Sequence, residues 1–361
     1  MSHPKLFIPG PTEVAEEVLI AQTRPMVGHR SQEFADLFYS ILSRLKQVLL
    51  TDQHVYITAS SGTGLQETAV RNAIRPGRKV LNMVAGAFGD RWQKVSAANG
   101  KDSVRVDVTW GQPIRPEDVD AHLAAGGFDA VTVVHNETST GVMSDVGAIA
   151  RLVREKYPDV LILVDAVSSA SGVRIPFDEW GLDMLLTSSQ KAFALPPGLA
   201  FAAVSDRLLK RAQEAPHRGW YFDLLILEKY LSGGRTTPAT PAISLLNALD
   251  VQLDRILAEG LENRWARHEE SMKLVHAWAK DHGFGLFPEP GYESRTVTCV
   301  KNTRGVDVPA MLAFAKARGM IIGNGYGKLK NDTFRIAHMG ELGPDDLRDL
   351  FQTLNAFLAE S

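Results

Sequence analysis

A lysine standing just beyond an apolar run is the first candidate for chemistry in this chain. Met184-Leu185-Leu186 reads as a buried strand, Thr187-Ser188-Ser189-Gln190 follows, and Lys191 closes the stretch. An ammonium group placed there loses solvation, which lowers its pKa and frees the amine to attack a carbonyl. A lysine at a strand exit can equally be a solvated surface group, so its neighbours decide. Upstream, Val160-Leu161-Ile162-Leu163-Val164 is an aliphatic run of the kind buried on both faces of a parallel sheet, and Asp165 stands at its C-terminal end. Open α/β sheets bind ligands at such ends, although an Asp there also serves as a turn or cap residue. Together the two side chains suit one task. A lysine can hold the aldehyde of pyridoxal phosphate while a carboxylate keeps the ring nitrogen protonated.

A third strand end adds a phosphate cradle. His54-Val55-Tyr56-Ile57-Thr58 reads as a strand, Ala59-Ser60-Ser61-Gly62-Thr63-Gly64 as a small-residue turn, and Leu65 to Ile74 as a helix. Backbone N–H groups at the positive end of a helix attract an anion, though the same residues also describe an ordinary helix cap. No Gly-Lys-Ser/Thr follows, so the turn is not a P-loop.

These residues need a frame, and the chain supplies an alternating one. Strands are predicted at 54–58, 78–84, 103–108, 129–135, 160–165, 183–187 and 199–204, with helical patterns at 64–74, 88–98, 116–125 and 144–156. That alternation predicts an α/β fold with a mainly parallel seven-stranded sheet covered by helices. Before it lie an irregular arm over 1–15, with prolines flanking Gly10, and helical spacing over 16–50 broken at Gly28-His29-Arg30-Ser31. After it, 207–240 reads as less regular, and a helix is expected from Pro241 to Ala258, with proline in the first turn. Glu259-Gly260 is the expected boundary between a large domain (16–260) and a smaller C-terminal α/β domain (261–361). The small domain is read as helices at 261–282, 308–317 and 344–358 with strands near 284–288, 295–301, 320–322 and 333–337.

The bulk composition narrows the function. The 361 residues carry 39 basic and 42 acidic side chains, a net charge of −3, with no basic stripe that would indicate nucleic acid. No apolar run reaches the ~20 residues of a membrane span, and the N-terminus shows no signal-peptide pattern. Cys299, the one cysteine, excludes an internal disulfide and agrees with a reducing, cytoplasmic setting. It lies in a β pattern and reads as a buried small hydrophobe. No metal site is expected.

The ordered set Phe7-Ile8-Pro9-Gly10-Pro11-Thr12, Gly28-His29-Arg30-Ser31, Ser61-Gly62-Thr63-Gly64, His135-Asn136-Glu137-Thr138-Ser139-Thr140-Gly141, Val164-Asp165-Ala166-Val167-Ser168-Ser169, Ser188-Ser189-Gln190-Lys191 and Phe334-Arg335-Ile336-Ala337-His338-Met339-Gly340 resembles the class V aminotransferases. Within them it is most similar to the alanine–glyoxylate, serine–glyoxylate and serine–pyruvate group. The resemblance implies the fold of pyridoxal-phosphate-dependent transferases and a homodimer with shared sites. It implies that Lys191 carries the cofactor and then moves a proton between the substrate Cα and the cofactor C4′, and that Asp165 faces the ring nitrogen. It places Ser61, Gly62, Thr63 and Gln190 at the cofactor phosphate, Thr138 near its 3′ oxygen, and Val167 against one ring face. An aromatic covers the other face; Phe88 holds that position here, with Trp92 one turn further on. Arg335 is implied as the anchor for the substrate carboxylate, with Gly10 and His29 on the substrate side. A residue of the 236–240 loop reaches the neighbouring subunit's phosphate; Thr237, Ala239 and Thr240 all compete for that place, and Thr240 is favoured.

The leading expectation is a ping-pong transaminase moving an amino group from alanine or serine to glyoxylate or pyruvate. Aspartate or phosphoserine as donor is the close alternative, with Arg30 or another cation pairing with the second acid group. A lyase or desulfurase on the same scaffold and a non-catalytic cofactor-binding protein are the remaining alternatives.

Overall fold

The computed structural model describes residues 3–360. The chain opens with a short strand, β1 (Lys5–Phe7), followed by the helices Glu16–Ala21 and Gln32–Leu49. Then come β2 (His54–Ala59), β3 (Lys79–Val84), β4 (Asp102–Asp107) and β5 (Phe128–Val134). A two-stranded ribbon, β6 (Asn136–Glu137) with β7 (Val142–Met143), precedes β8 (Leu161–Asp165), β9 (Met184–Ser188) and β10 (Leu199–Val204). Beyond residue 260 lie β11 (Gly285–Leu286), β12 (Val297–Lys301), β13 (Met320–Asn324) and β14 (Thr333–Ala337).

Seven strands form one sheet in the order β2-β10-β9-β8-β5-β3-β4. Only β10 runs against its neighbours. The expected mainly parallel sheet is therefore present. The reason is visible along each strand, where side chains point alternately to two separate cores. Ile162, Val164, Leu185, Val131 and Phe201 pack on one face, while Leu161, Leu163, Leu186, Ala130 and Ala200 pack on the other. Both faces are apolar because helices cover both.

The second sheet has the order β1-β13-β14-β12-β11, with β1 parallel to β13 and the other pairs antiparallel. It packs under the helices Leu261–Asp281, Val308–Ala317 and Pro344–Glu360 around Phe7, Trp278, Phe334 and Leu350.

Three expectations need correction. The N-terminal arm is not wholly irregular, because Lys5–Phe7 adds an edge strand to the second sheet of its own chain, in register with Met320–Ile322. Residues 207–240 hold two helices, Asp206–Ala212 and Leu224–Gly234, capped by Ser205 and Asp223. Their shortness hid the helical period. The next helix starts at Ile243 rather than Pro241, so the proline precedes the first turn instead of sitting in it.

Candidate active site

Because β2, β3, β5, β8 and β9 all point the same way, the residues that follow them gather at one edge of the sheet. That edge collects Ser61–Thr63 after β2, Phe88 after β3, Thr138 after β5, Asp165 at the end of β8, and Lys191 after β9.

The backbone around Lys191 is fixed from several directions. The Gln190 carbonyl accepts from the Thr12 N–H (3.2 Å), and the Lys191 carbonyl accepts from the Thr12 hydroxyl (2.9 Å) and the Ala194 N–H (2.8 Å). Nη2 of the buried Arg264 donates to the Ala192 carbonyl (2.7 Å), and Nε2 of Gln252 donates to the Phe193 carbonyl (2.9 Å). Every carbonyl from 190 to 193 has a donor, so the lysine leaves from a rigid base.

Its Nζ donates to the Pro9 carbonyl. Gly10 lies against it at φ 125°, and a Cβ at that glycine would come within 2.6 Å of Nζ. Burial lowers the Lys191 pKa to about 8, the Arg335 charge adds to the drop, and Asp165 opposes it. At pH 7 that leaves about a tenth of the amine neutral, against about one part in three thousand for a free lysine. The expected result is a rate of pyridoxal phosphate capture by cofactor-free protein that climbs as pH rises through about 8 and then levels off. Stopped-flow absorbance against pH would reveal it. A rate still climbing steeply towards pH 10 would indicate an ordinary solvated lysine.

Asp165 is buried. Burial pushes its carboxyl above the usual range, while the Val167 N–H, Gln66 and the Lys191 and Arg91 charges pull the other way. The Val167 N–H donates to Oδ1 (2.9 Å) and Gln66 Nε2 to Oδ2 (2.7 Å). Trp92 is fully buried and donates its indole N–H to the Gln66 carbonyl (3.2 Å). It is thus a core residue on the far side of Gln66. Phe88 is the aromatic left facing the site, partly exposed and 5.8 Å from the Tyr326 ring.

The helix that carries Phe88 is anchored by Glu137. This buried carboxylate accepts from the N–H groups of Phe88 and Gly89 (3.1 Å each) and from the Ser139 hydroxyl (2.5 Å). Next to it, the Thr138 hydroxyl bonds to Ser168, and the Thr138 carbonyl accepts from Arg335 Nη1 (3.3 Å). Arg335 rises from β14, with Nε also donating to the Asn324 carbonyl (3.0 Å). Two sheets therefore meet at Thr138.

His29 and Thr240 do not join this group within the chain. The His29 carbonyl accepts from the Thr236 hydroxyl (2.7 Å), and Arg30 donates to the Thr236 hydroxyl (2.7 Å) and the Thr237 carbonyl (2.5 Å). The Gly28–Ser31 break is thus docked on the 236–240 loop. There the Thr237 hydroxyl is spent on the Ala239 carbonyl (2.7 Å), while Thr240 is exposed.

A family model described as Aminotransferase class-V matches residues 14–326. The chain belongs to the class-V aminotransferases. L-aspartate–glyoxylate aminotransferase of Paracoccus denitrificans is 36% identical over 348 residues, spanning 94% of this chain and 87% of the relative. Serine–glyoxylate aminotransferase of Hyphomicrobium methylovorum is 35% identical over 347 residues, spanning 94% and 85%. The crystal structure of alanine–glyoxylate aminotransferase from Nostoc sp. superposes with a TM-score of 0.93 at 31% identity, over 99% of this chain and 96% of the other.

As a class-V aminotransferase the chain is an enzyme whose family implies pyridoxal phosphate, and its residues fit that group. Ser188 Oγ, Gln190 Oε1 and Gln66 Oε1 are buried without a hydrogen-bond partner. The helix at Gly62 starts with no side-chain cap, leaving its first N–H groups for an anion. Any side chain at Gly62 would run into Val167. The desulfurase alternative needs a cysteine on a mobile loop. Cys299 is instead fully buried in β12, its thiol pushed up to about 11 by burial.

Sequence reasoning missed Gln66, Glu137 as a cap, Arg91, Tyr326 and Arg264. Glu137 was within a quoted motif and could have been found, since a carboxylate flanked by Asn and Thr rarely stays buried without N–H donors. The others act across sequence separations that carry no local pattern.

Proposed function

We propose that this aminotransferase uses pyridoxal 5′-phosphate to move the amino group of a small L-amino acid, alanine or serine, to glyoxylate or pyruvate in two half-reactions. The observation that carries this reading is the meeting of three charges from two sheets: the Lys191 amine and the Asp165 carboxylate at the edge of the large sheet, and the Arg335 guanidinium reaching in from β14. The bound cofactor supplies a protonated ring that draws electrons from the substrate Cα. Lys191 would hold its aldehyde carbon and afterwards carry a proton from the substrate Cα to C4′. Asp165 supplies the charge opposite the ring nitrogen. Ser61, Gly62, Thr63 and Gln190 would take the phosphate, Thr138 would serve the 3′ oxygen, and Val167 and Phe88 would enclose the ring. Arg335 grips the α-carboxylate with its two-pronged fork, and Gly10 leaves room beside it.

We further take the chain as an arm and two domains meeting at Gly260, paired into a homodimer and located in the cytoplasm. Leu19, Ile20, Met26, Tyr39, Trp220 and Tyr221 are large exposed apolar side chains, and Tyr221 lines one hollow with Thr240. In a dimer the free Thr240 hydroxyl would reach the partner's phosphate and His29 the partner's substrate. Light scattering should give twice the chain mass.

The functional test mixes purified holoenzyme with one amino acid at a time and follows both cofactor absorbance and released oxo acid. Spectral conversion without oxo acid would defeat transamination, and no conversion with any donor would leave a cofactor-binding protein. Arg335→Lys is expected to raise KM about 10- to 100-fold for amino and oxo acids alike, because an ammonium cannot make both parallel bonds. The absorbance of bound cofactor should remain. Unchanged kinetics would remove Arg335 from this role.

A further inference from the structure

Arg91 brings a second guanidinium to the site, and among the described residues no carboxylate meets it. Its polar contacts are long: Nη1 to the Thr63 hydroxyl at 3.5 Å and Nη2 to the Tyr326 hydroxyl at 3.4 Å. Its guanidinium carbon lies 4.9 Å from the centre of the Phe88 ring. The charge is felt at the chemistry, since it helps depress the Lys191 amine and favours the ionised Asp165. Arg335 approaches the same tyrosine, its guanidinium carbon 5.4 Å from the centre of the Tyr326 ring. Two cations therefore flank one phenol. Of the buried acids around them, Glu137 is occupied by the N–H groups of Phe88 and Gly89 and by Ser139, and Asp165 by the Val167 N–H and Gln66.

Like charges brought together in partial burial repel unless an anion joins them. One carboxylate on Arg335 satisfies half of the arrangement. Arg30, the other cation considered for an acidic side chain, has both terminal nitrogens turned to the 236–238 loop.

We propose that Arg91 is the group that receives a second carboxylate, so that the site accepts amino donors with a short acidic side chain as well as small neutral ones. This rests on the transaminase reading above and names a substrate class for it. Arg335 takes the α-carboxylate, Arg91 takes the side-chain carboxylate, and Tyr326 spaces the two.

Calorimetry on cofactor-loaded protein with succinate and propionate separates the possibilities, because neither acid has an amino group to react. Wild type should bind the diacid about tenfold or more tightly than the monoacid, the scale of one charge-assisted hydrogen bond. Arg91→Gln should bring that ratio close to one and lower the aspartate-to-alanine ratio of kcat/KM by a similar factor. Bound-cofactor absorbance in the variant serves as the check that the site is intact. A wild type without diacid preference overturns the proposal, as does a preference that survives in the variant. Equal weakening of both acids together with looser pyridoxal phosphate binding also overturns it, and assigns Arg91 to the phosphate beside Thr63. Failure of wild type to attach pyridoxal phosphate at Lys191 would instead defeat the transaminase reading itself.

Discussion

Lys191→Ala should lower the rate of each half-reaction by about two to four orders of magnitude, the usual contribution of a positioned proton carrier. The protein should nevertheless fold. The segment's carbonyls, not the lysine side chain, hold it to Thr12, Gln252 and Arg264, and among the described residues the only hydrogen bond lost from Nζ is that to Pro9. Borohydride reduction of wild type followed by peptide mapping should place the cofactor on Lys191, while the variant should yield no labelled peptide. Added small amines should recover part of the rate, since they restore a proton carrier but not its placement. A variant within tenfold of wild type would show that another group moves the proton.

Asp165→Asn is the second large effect, a loss of about a hundredfold or more in turnover. An amide fills the same space but brings no charge, so it cannot hold a ring nitrogen protonated. The surroundings tolerate the change. The Val167 N–H can still donate to the amide oxygen, and the unpartnered Oε1 of Gln66 can accept from the new amide after its own group turns over. Burial disfavours a charge here in the cofactor-free protein, so thermal stability of that form should hold or rise. Stability and activity then move apart, which distinguishes loss of chemistry from loss of fold. Measuring the half-reaction rate and the melting temperature together tests this, and a variant that keeps its rate would release Asp165 from the role.

How far the sequence reached depended on the kind of signal. Strand positions in the large sheet were legible to within a residue or two, because unbroken aliphatic runs such as Val160 to Val164 have few other solutions in a soluble chain. Lys191 and Asp165 were legible because charged groups at the ends of such runs are costly without a task. The assignment of Trp92 to the core could not be decided from spacing alone; it follows from the indole N–H finding the Gln66 carbonyl. Arg91 and Tyr326 come together across 235 positions, which no local pattern encodes. The same holds for Arg264, whose contact with Ala192 spans 72. In the small sheet the strand positions were legible, without their pairing, except for β1, three residues long and too short to show an alternation.

That overlooked edge strand has a mechanical meaning. Lys5–Phe7 is stitched to β13, β13 to β14, and Arg335 projects from β14, while a few residues further along the arm Pro9 and Gly10 rest on the lysine amine and Thr12 holds its backbone. The first dozen residues thus act as a linkage between the sheet that grips a substrate and the sheet that carries the nucleophile. Any rotation that swings the guanidinium towards an incoming acid must also shift the Pro9 carbonyl relative to the amine. Grasping the substrate and uncapping the reactive nitrogen are geared to one another, and a fusion or tag placed ahead of Lys5 would load that gear directly.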